Sequence, residues 1–141
     1  MILLDTNVLS EVMRGAPEPR VLAWLDQRPD TDFWVSAVTI AEIGLGIALL
    51  PKGRRKATLA DLAARMFEED FLGRCLPFDQ EAAAVYAGIV SSRMGMGRPT
   101  SVEDAQIAAI AVTNRLVLAT RNIGDFEKIK ELTIINPWLD R

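Results

Sequence analysis

Four carboxylates stand at the ends of apolar segments or inside one, where burial selects against charge. Asp5 directly follows the apolar run Ile2–Leu4. From there it either caps the next helix or faces the space beyond a strand's carboxyl end, where open α/β sheets bind ligands. Glu42 lies within VTIAEIGLGIALL, with apolar residues on every side. An unpaired carboxylate there is costly, so it either joins a structural arginine pair or, the preferred reading, holds something positive. Asp104 opens the helix VEDAQIAAIAVTN, where ordinary capping is the alternative to a site role, and Glu103 beside it reads as solvated first-turn charge. In LVLATRNIGDF a buried strand gives way to Thr120, Arg121, Asn122 and Asp125. Asp125 either closes a turn with Gly124 or joins a site, and Thr120 and Asn122 either satisfy backbone groups or support that site.

If these carboxylates converge, their repulsion dictates the chemistry. Two like charges about 4 Å apart cost roughly 4 kcal/mol at an effective dielectric of 20, so three or four require a cation. The chain has no histidine and one cysteine, Cys75, which excludes Ser-His-Asp and Cys-His catalysis, histidine-ligated zinc, multi-thiolate metal sites and an intramolecular disulfide. An all-oxygen donor set selects hard Mg²⁺ or Mn²⁺, and Mg²⁺ is commonly held by few carboxylates together with substrate phosphate. The chemistry so implied is phosphoryl or phosphodiester chemistry.

These residues need a scaffold, and the apolar pattern supplies one. Short apolar runs at Ile2–Leu4, 33–37, 74–78, 116–119 and 133–135 read as strands. Helical patterns occupy 6–13, 21–25, 38–50, 58–71, 80–92 and 102–114, the last with Ser101 as N-cap and Asp104 three residues on. Alternating short strands and longer helices indicate a parallel sheet covered by helices on both faces, an α/β fold. The helix at 38–50 is apolar nearly all the way round and is expected to be buried or paired. The KGRRK cluster reads as a polar connection within a helical hairpin, Gly44 and Gly46 as sites of close helix packing, and Trp24, Trp34 and Trp138 as core or interface residues.

With 141 residues, a single domain over 1–141 is expected. Sixteen Lys and Arg against 19 Asp and Glu give a net charge of −3, so any nucleic acid must meet a local basic patch or a bound cation. Arg93, Arg98 and Arg121 lie near the acidic segments and are candidates for phosphate contacts, against solvated surface charge, the commoner fate of arginine. No secretory signal or 20-residue apolar span is present in the sequence, and a cytoplasmic protein without membrane contact is expected.

The stretches MILLDTNVLSE, VSAVTIAEIGLGI, PTSVEDAQIAAIA and LATRNIGDF, in this order between residues 1 and 126, resemble the PIN-domain ribonucleases. The likeness is greatest to the VapC and FitB-like toxins of bacterial toxin–antitoxin pairs. The resemblance implies a PIN-like three-layer α/β/α sandwich with a short, mainly parallel central sheet. It implies Mg²⁺ or Mn²⁺ bound by Asp5, Glu42 and Asp104, with Asp125 at the more variable fourth acidic position and Thr6, Asn7, Thr120 and Asn122 as supporting polar residues. Some members carry an acid where Asn122 stands, so a second tightly bound ion is not implied. The activity implied is RNA hydrolysis by a metal-activated water, leaving a 5′-phosphate and a 3′-hydroxyl. The partners implied are a second copy of the chain and an antitoxin whose C-terminal segment fills a groove beside the acidic site and offers it an arginine.

Two rival classes fare less well. A catalytically silent PIN-shaped binding module is expected to have lost one or more of the acids, and all four are present. A phosphatase or receiver domain phosphorylated on Asp5 is expected to show DxD and a catalytic lysine, and the motif here is DTN.

Overall fold

A strand covered by helices on both faces must be apolar on both of its sides, which the run Ile2–Leu4 satisfies. In a computed structural model, which describes residues 1–139, this run is β1 (Ile2–Leu4) at the centre of a five-stranded parallel sheet. The order is β3-β2-β1-β4-β5, with β2 at Phe33–Ser36, β3 at Cys75–Leu76, β4 at Val117–Ala119 and β5 at Ile134–Ile135. Leu3 pairs in register with Trp34 on one side and Leu118 on the other.

The two-residue period of the strands sorts their side chains between two cores. Ile2, Leu4, Phe33, Val35 and Ala119 pack with Val8, Leu9, Val21, Trp24 and Ile43, from the helices α1 (Thr6–Val12), α2 (Pro19–Asp26) and α3 (Ala37–Ala48). Ala63 of α4 (Arg54–Arg65) joins the same cluster. Leu3 and Leu118 point the other way, into Ile89 of α5 (Gln80–Gly95), Ile107 and Ile110 of α6 (Val102–Thr113) and Phe126 of α7 (Ile123–Phe126). The result is the three-layer α/β/α sandwich expected from the sequence.

The chain steps outward from β1 through β2 to β3, then returns to the opposite side of β1 for β4 and β5. The reversal falls between β1 and β4, and the crevice beyond the carboxyl ends of two such strands is where doubly wound sheets place ligands. Asp5 and Thr120 are the first residues past those two ends, and the Asp5 N–H donates to the Ala119 carbonyl at 2.9 Å.

Several local expectations are corrected. Arg54, Arg55 and Lys56 form the first turn of α4 rather than a connection. The Lys56 ammonium reaches back to the Ala48 carbonyl at 3.0 Å, where the carboxyl end of α3 favours a cation. Helix α4 ends earlier than the pattern suggests, in a single π-turn over Met66–Asp70. Of the helix expected to be buried or paired, only Thr39 and Ile43 of α3 are buried; Leu45 and the C-cap Leu49 are 60% and 75% exposed, so burial within the chain covers one face only and the paired alternative stays open. Gly44 and Gly46 lie on the open side, where an added Cβ would touch nothing within 4 Å, so they do not serve close packing.

Candidate active site

Asp5 ends β1 and caps α1, and every bond it accepts holds it rigid. Its Oδ1 accepts the Thr6 N–H at 2.8 Å. Its Oδ2 accepts the Thr120 hydroxyl at 2.7 Å and the Asn7 side-chain amide at 3.2 Å. The residue is only 3% exposed. Burial drives its pKa up to about 6, against the bonds from Thr120 and Thr6, and the charges of Asp104 and Glu42 add to the rise. Asn7 also ties the two strand ends together: its Oδ1 accepts the Arg121 N–H at 3.2 Å and its amide donates to the Thr120 hydroxyl at 3.2 Å.

Glu42 projects from α3, and its Oε1 accepts the Thr6 hydroxyl at 2.6 Å. Among the described residues no arginine pairs with it, the alternative its sequence context left open. Asp104 stands in the first turn of α6, just before Ala105 and the apolar run 107–111 that anchor the helix in the core. Ser101 caps the helix as expected, accepting the Asp104 N–H at 3.1 Å. Burial raises the Asp104 pKa, opposed by the Ser101 hydroxyl and reinforced by the charges of Asp125, Glu42 and Glu103. Ser101→Ala should lower stability by about 1 kcal/mol, measurable by urea denaturation, since it removes the cap from the helix that carries Asp104.

Asp5, Glu42 and Asp104 thus line one cleft of about 510 Å³, together with Thr6, Asn7 and Asn122. Asp125 does not line it; it sits exposed on α7, and its charge is felt at Asp104. Asn122 contributes its backbone N–H to the Thr120 hydroxyl at 3.1 Å. Among the described residues no group of three or more acidic or thiol side chains already stands close enough to enclose an ion. Asp5, Glu42 and Asp104, which line the cleft, are all carboxylates, the donor type that hard cations take. The repulsion among Asp5, Glu42 and Asp104 makes positive charge favourable in the cleft.

The three arginines part company. Arg93 is buried, and its guanidinium donates to the Glu127 carbonyl at 2.8 Å and the Gly124 carbonyl at 3.3 Å. It clamps the segment that carries Asp125 and cannot reach a phosphate. Arg98 pairs with the Glu127 carboxylate. Arg121 alone faces the cleft, stacked on the Trp138 ring with its guanidinium carbon 5.0 Å from the centroid.

Sequence reasoning missed Glu11 and Arg14, which also line the cleft. Glu11 is buried, and its carboxylate accepts the Glu18 N–H at 2.9 Å and the Arg14 guanidinium at 2.9 and 3.1 Å. The Glu18 bond first, then Arg14, hold its pKa below the usual carboxylate range. These bonds engage its oxygens in fastening the 13–18 loop to α1. Its signal was a charge on the helix that also buries Val8 and Leu9.

A second, larger groove of about 950 Å³ runs between α1, α3 and α4. Met13, Ile43, Ile47, Leu59 and Leu62 give it an apolar lining, with Arg54 and Arg55 also on its walls. Thr6, Ser10, Arg14 and Glu42 line both the groove and the cleft, so the two are continuous.

A parallel α/β/α sandwich with an acidic, histidine-free cleft at its switch point is the frame of the site, and the chain belongs to the PIN domain family, whose model matches residues 2–132. It is 44% identical to Toxin FitB of Neisseria gonorrhoeae over 140 residues, 99% of this chain and 100% of that one. It is 38% identical to VapC ribonuclease Y4jK of Sinorhizobium fredii, across 98% of each. The crystal structure of FitAcB from Neisseria gonorrhoeae superposes with a TM-score of 0.87 at 42% identity, over 99% of this chain and 100% of that one. No helix among the described residues is long and apolar enough to cross a membrane.

Proposed function

We propose that the chain is the toxin of a toxin–antitoxin pair and a divalent-metal-dependent endoribonuclease. The observation that carries this is the meeting of Asp5, Glu42 and Asp104 in one cleft at the carboxyl ends of β1 and β4. Relatives named toxin and ribonuclease over nearly the whole chain support it.

Asp5, Glu42 and Asp104 would hold Mg²⁺ or Mn²⁺, with Asp125 acting from the rim through water. When bound, such an ion supplies Lewis-acid chemistry, lowering the pKa of a water and neutralising charge that develops on the phosphate. The chain's own residues supply order: Thr6, Asn7 and Thr120 fix Asp5, and Thr6 fixes Glu42. Arg121, supported by the Trp138 ring, offers a cation to an RNA phosphate entering the cleft.

The adjoining groove suits an apolar, acid-flanked segment of the antitoxin, since Arg54 and Arg55 stand on its walls. A second copy of the chain would cover the open apolar side of the 38–50 helix, where Leu45 and Leu49 are exposed. The single-domain organisation and cytoplasmic location belong to the same reading.

Purified protein freed of antitoxin should cut total cellular RNA into discrete 5′-phosphorylated fragments with Mg²⁺ or Mn²⁺. EDTA and Asp104→Asn should each abolish the cuts. A folded protein that binds RNA but leaves it intact in every metal would instead favour the silent binding module.

A further inference from the structure

Behind Glu42 lies a run of hydroxyls that the proposed chemistry does not use. The Ser36 hydroxyl is 3.3 Å from that of Thr39, which is 3.0 Å from that of Thr6, which is 2.6 Å from Glu42 Oε1. Ser36 and Thr39 are both 0% exposed, so no water competes for their protons.

Donor counting orders the run. A carboxylate only accepts, and each hydroxyl has one proton. Thr6 spends its proton on Glu42, so Thr39 must donate to Thr6, and Ser36 in turn donates to Thr39. Ser36 accepts the Thr39 N–H at 3.1 Å, which starts the run at the first turn of α3. The result is a one-way chain from the N-cap of α3 to a side chain nearly two turns further along the same helix. Glu42 Oε2 has no hydrogen-bond partner among the described residues.

We propose that Thr39 is a positioning residue: through Thr6 it holds Glu42 in one rotamer, with Oε1 tied back and Oε2 left for a cation in the cleft. This rests on the metal-dependent reading above. An oriented hydroxyl strengthens the next bond in a buried chain, and partners that orient a ligating carboxylate are worth about 10- to 100-fold in metal affinity or activity. Thr39 does not touch the cleft itself; its effect passes through Thr6.

The test is Mn²⁺ binding to the RNA-free protein, followed by electron paramagnetic resonance, in Thr39→Val and Thr39→Ser. Valine removes the hydroxyl and keeps the branched shape, whereas serine keeps the hydroxyl. Thr39→Val should weaken Mn²⁺ binding about tenfold and lower kcat with KM for RNA unchanged, and Thr39→Ser should restore both. Should Thr39→Val fail to fold, Thr6→Val cuts the chain at its half-buried last link and should weaken Mn²⁺ binding at least as much. A folded Thr39→Val, or failing that Thr6→Val, that binds Mn²⁺ like the parent overturns the role of the chain while leaving the nuclease reading intact. A parent that neither binds Mn²⁺ nor cuts RNA overturns both.

Discussion

Asp5→Asn is expected to reduce metal-dependent RNA cleavage by at least about 100-fold and, in the absence of metal, to make the protein more stable. The first effect exceeds what losing an outer partner of a metal ligand does, because in the proposed reading Asp5 is itself a ligand. The second follows from linkage. The folded state raises the Asp5 pKa from 3.8 to about 6, so between these values the native protein binds the proton more tightly than the unfolded chain. Stability of the metal-free protein therefore falls as pH rises through that window and stays low above it.

The ionised form is worth up to about 3 kcal/mol of destabilisation at neutral pH, since each tenfold difference in proton affinity between the folded and unfolded states corresponds to about 1.4 kcal/mol. Asparagine cannot ionise, but its amide would face the Asn7 amide where Oδ2 now accepts a bond. That conflict returns part of the gain, leaving about 1–2 kcal/mol. Urea denaturation in EDTA at pH 7.5 should show the variant more stable, with the gap closing near pH 4. A variant less stable than the parent at pH 7.5 would mean that burial is not what strains Asp5. Added Mn²⁺ should stabilise the parent and leave Asp5→Asn unmoved if Asp5 holds the ion as proposed, since a ligand that binds the folded state stabilises it.

Arg93→Ala should destabilise the protein by about 3 kcal/mol, whereas Arg98→Ala should cost under about 1 kcal/mol. Both arginines lie close in sequence to the acidic segments and look alike there. In the fold Arg93 is 3% exposed and makes two charge-assisted bonds to carbonyls on either side of Asp125. Such bonds are worth roughly 1.5–3 kcal/mol each, and truncation leaves a cavity as well. Part of the loss is returned, because the buried Arg93 Nε has no partner and no longer needs one. Arg98 and Glu127 are each about two-fifths exposed, which leaves their pairing screened by water. Thermal melts of the two variants separate these roles. If Arg93→Ala melted with the parent and instead raised KM for RNA, the side chain would be a phosphate contact and not a clamp.

Asp5, Glu42 and Asp104 could be singled out in the sequence because each interrupts or ends an apolar pattern, and the structure brings the three to one cleft. The same logic found the Ser101 cap, the five strands and most helices, whose periods are written locally. It missed α7, four residues long, since one helical turn has no period to read. It placed α4 late, because the basic first turn resembles a connection until Lys56 is seen to meet the end of α3.

The sequence by itself limited the chemistry open to this protein, because residue types are local facts: no histidine and one thiol exclude histidine-based catalysis and multi-thiolate metal sites and leave oxygen donors. It determined the layer pattern as well, because alternation along a strand states which residues must be covered. Only the tertiary structure decided which polar groups meet. Arg93 could become a clamp, Glu11 a loop fastener and Thr39 a link behind Glu42 only once α5, the 13–18 loop and α1 had been brought beside their partners. Hydrogen bonds act over about 3 Å, and such distances between residues 7 to 34 positions apart are set by packing, not by the local pattern.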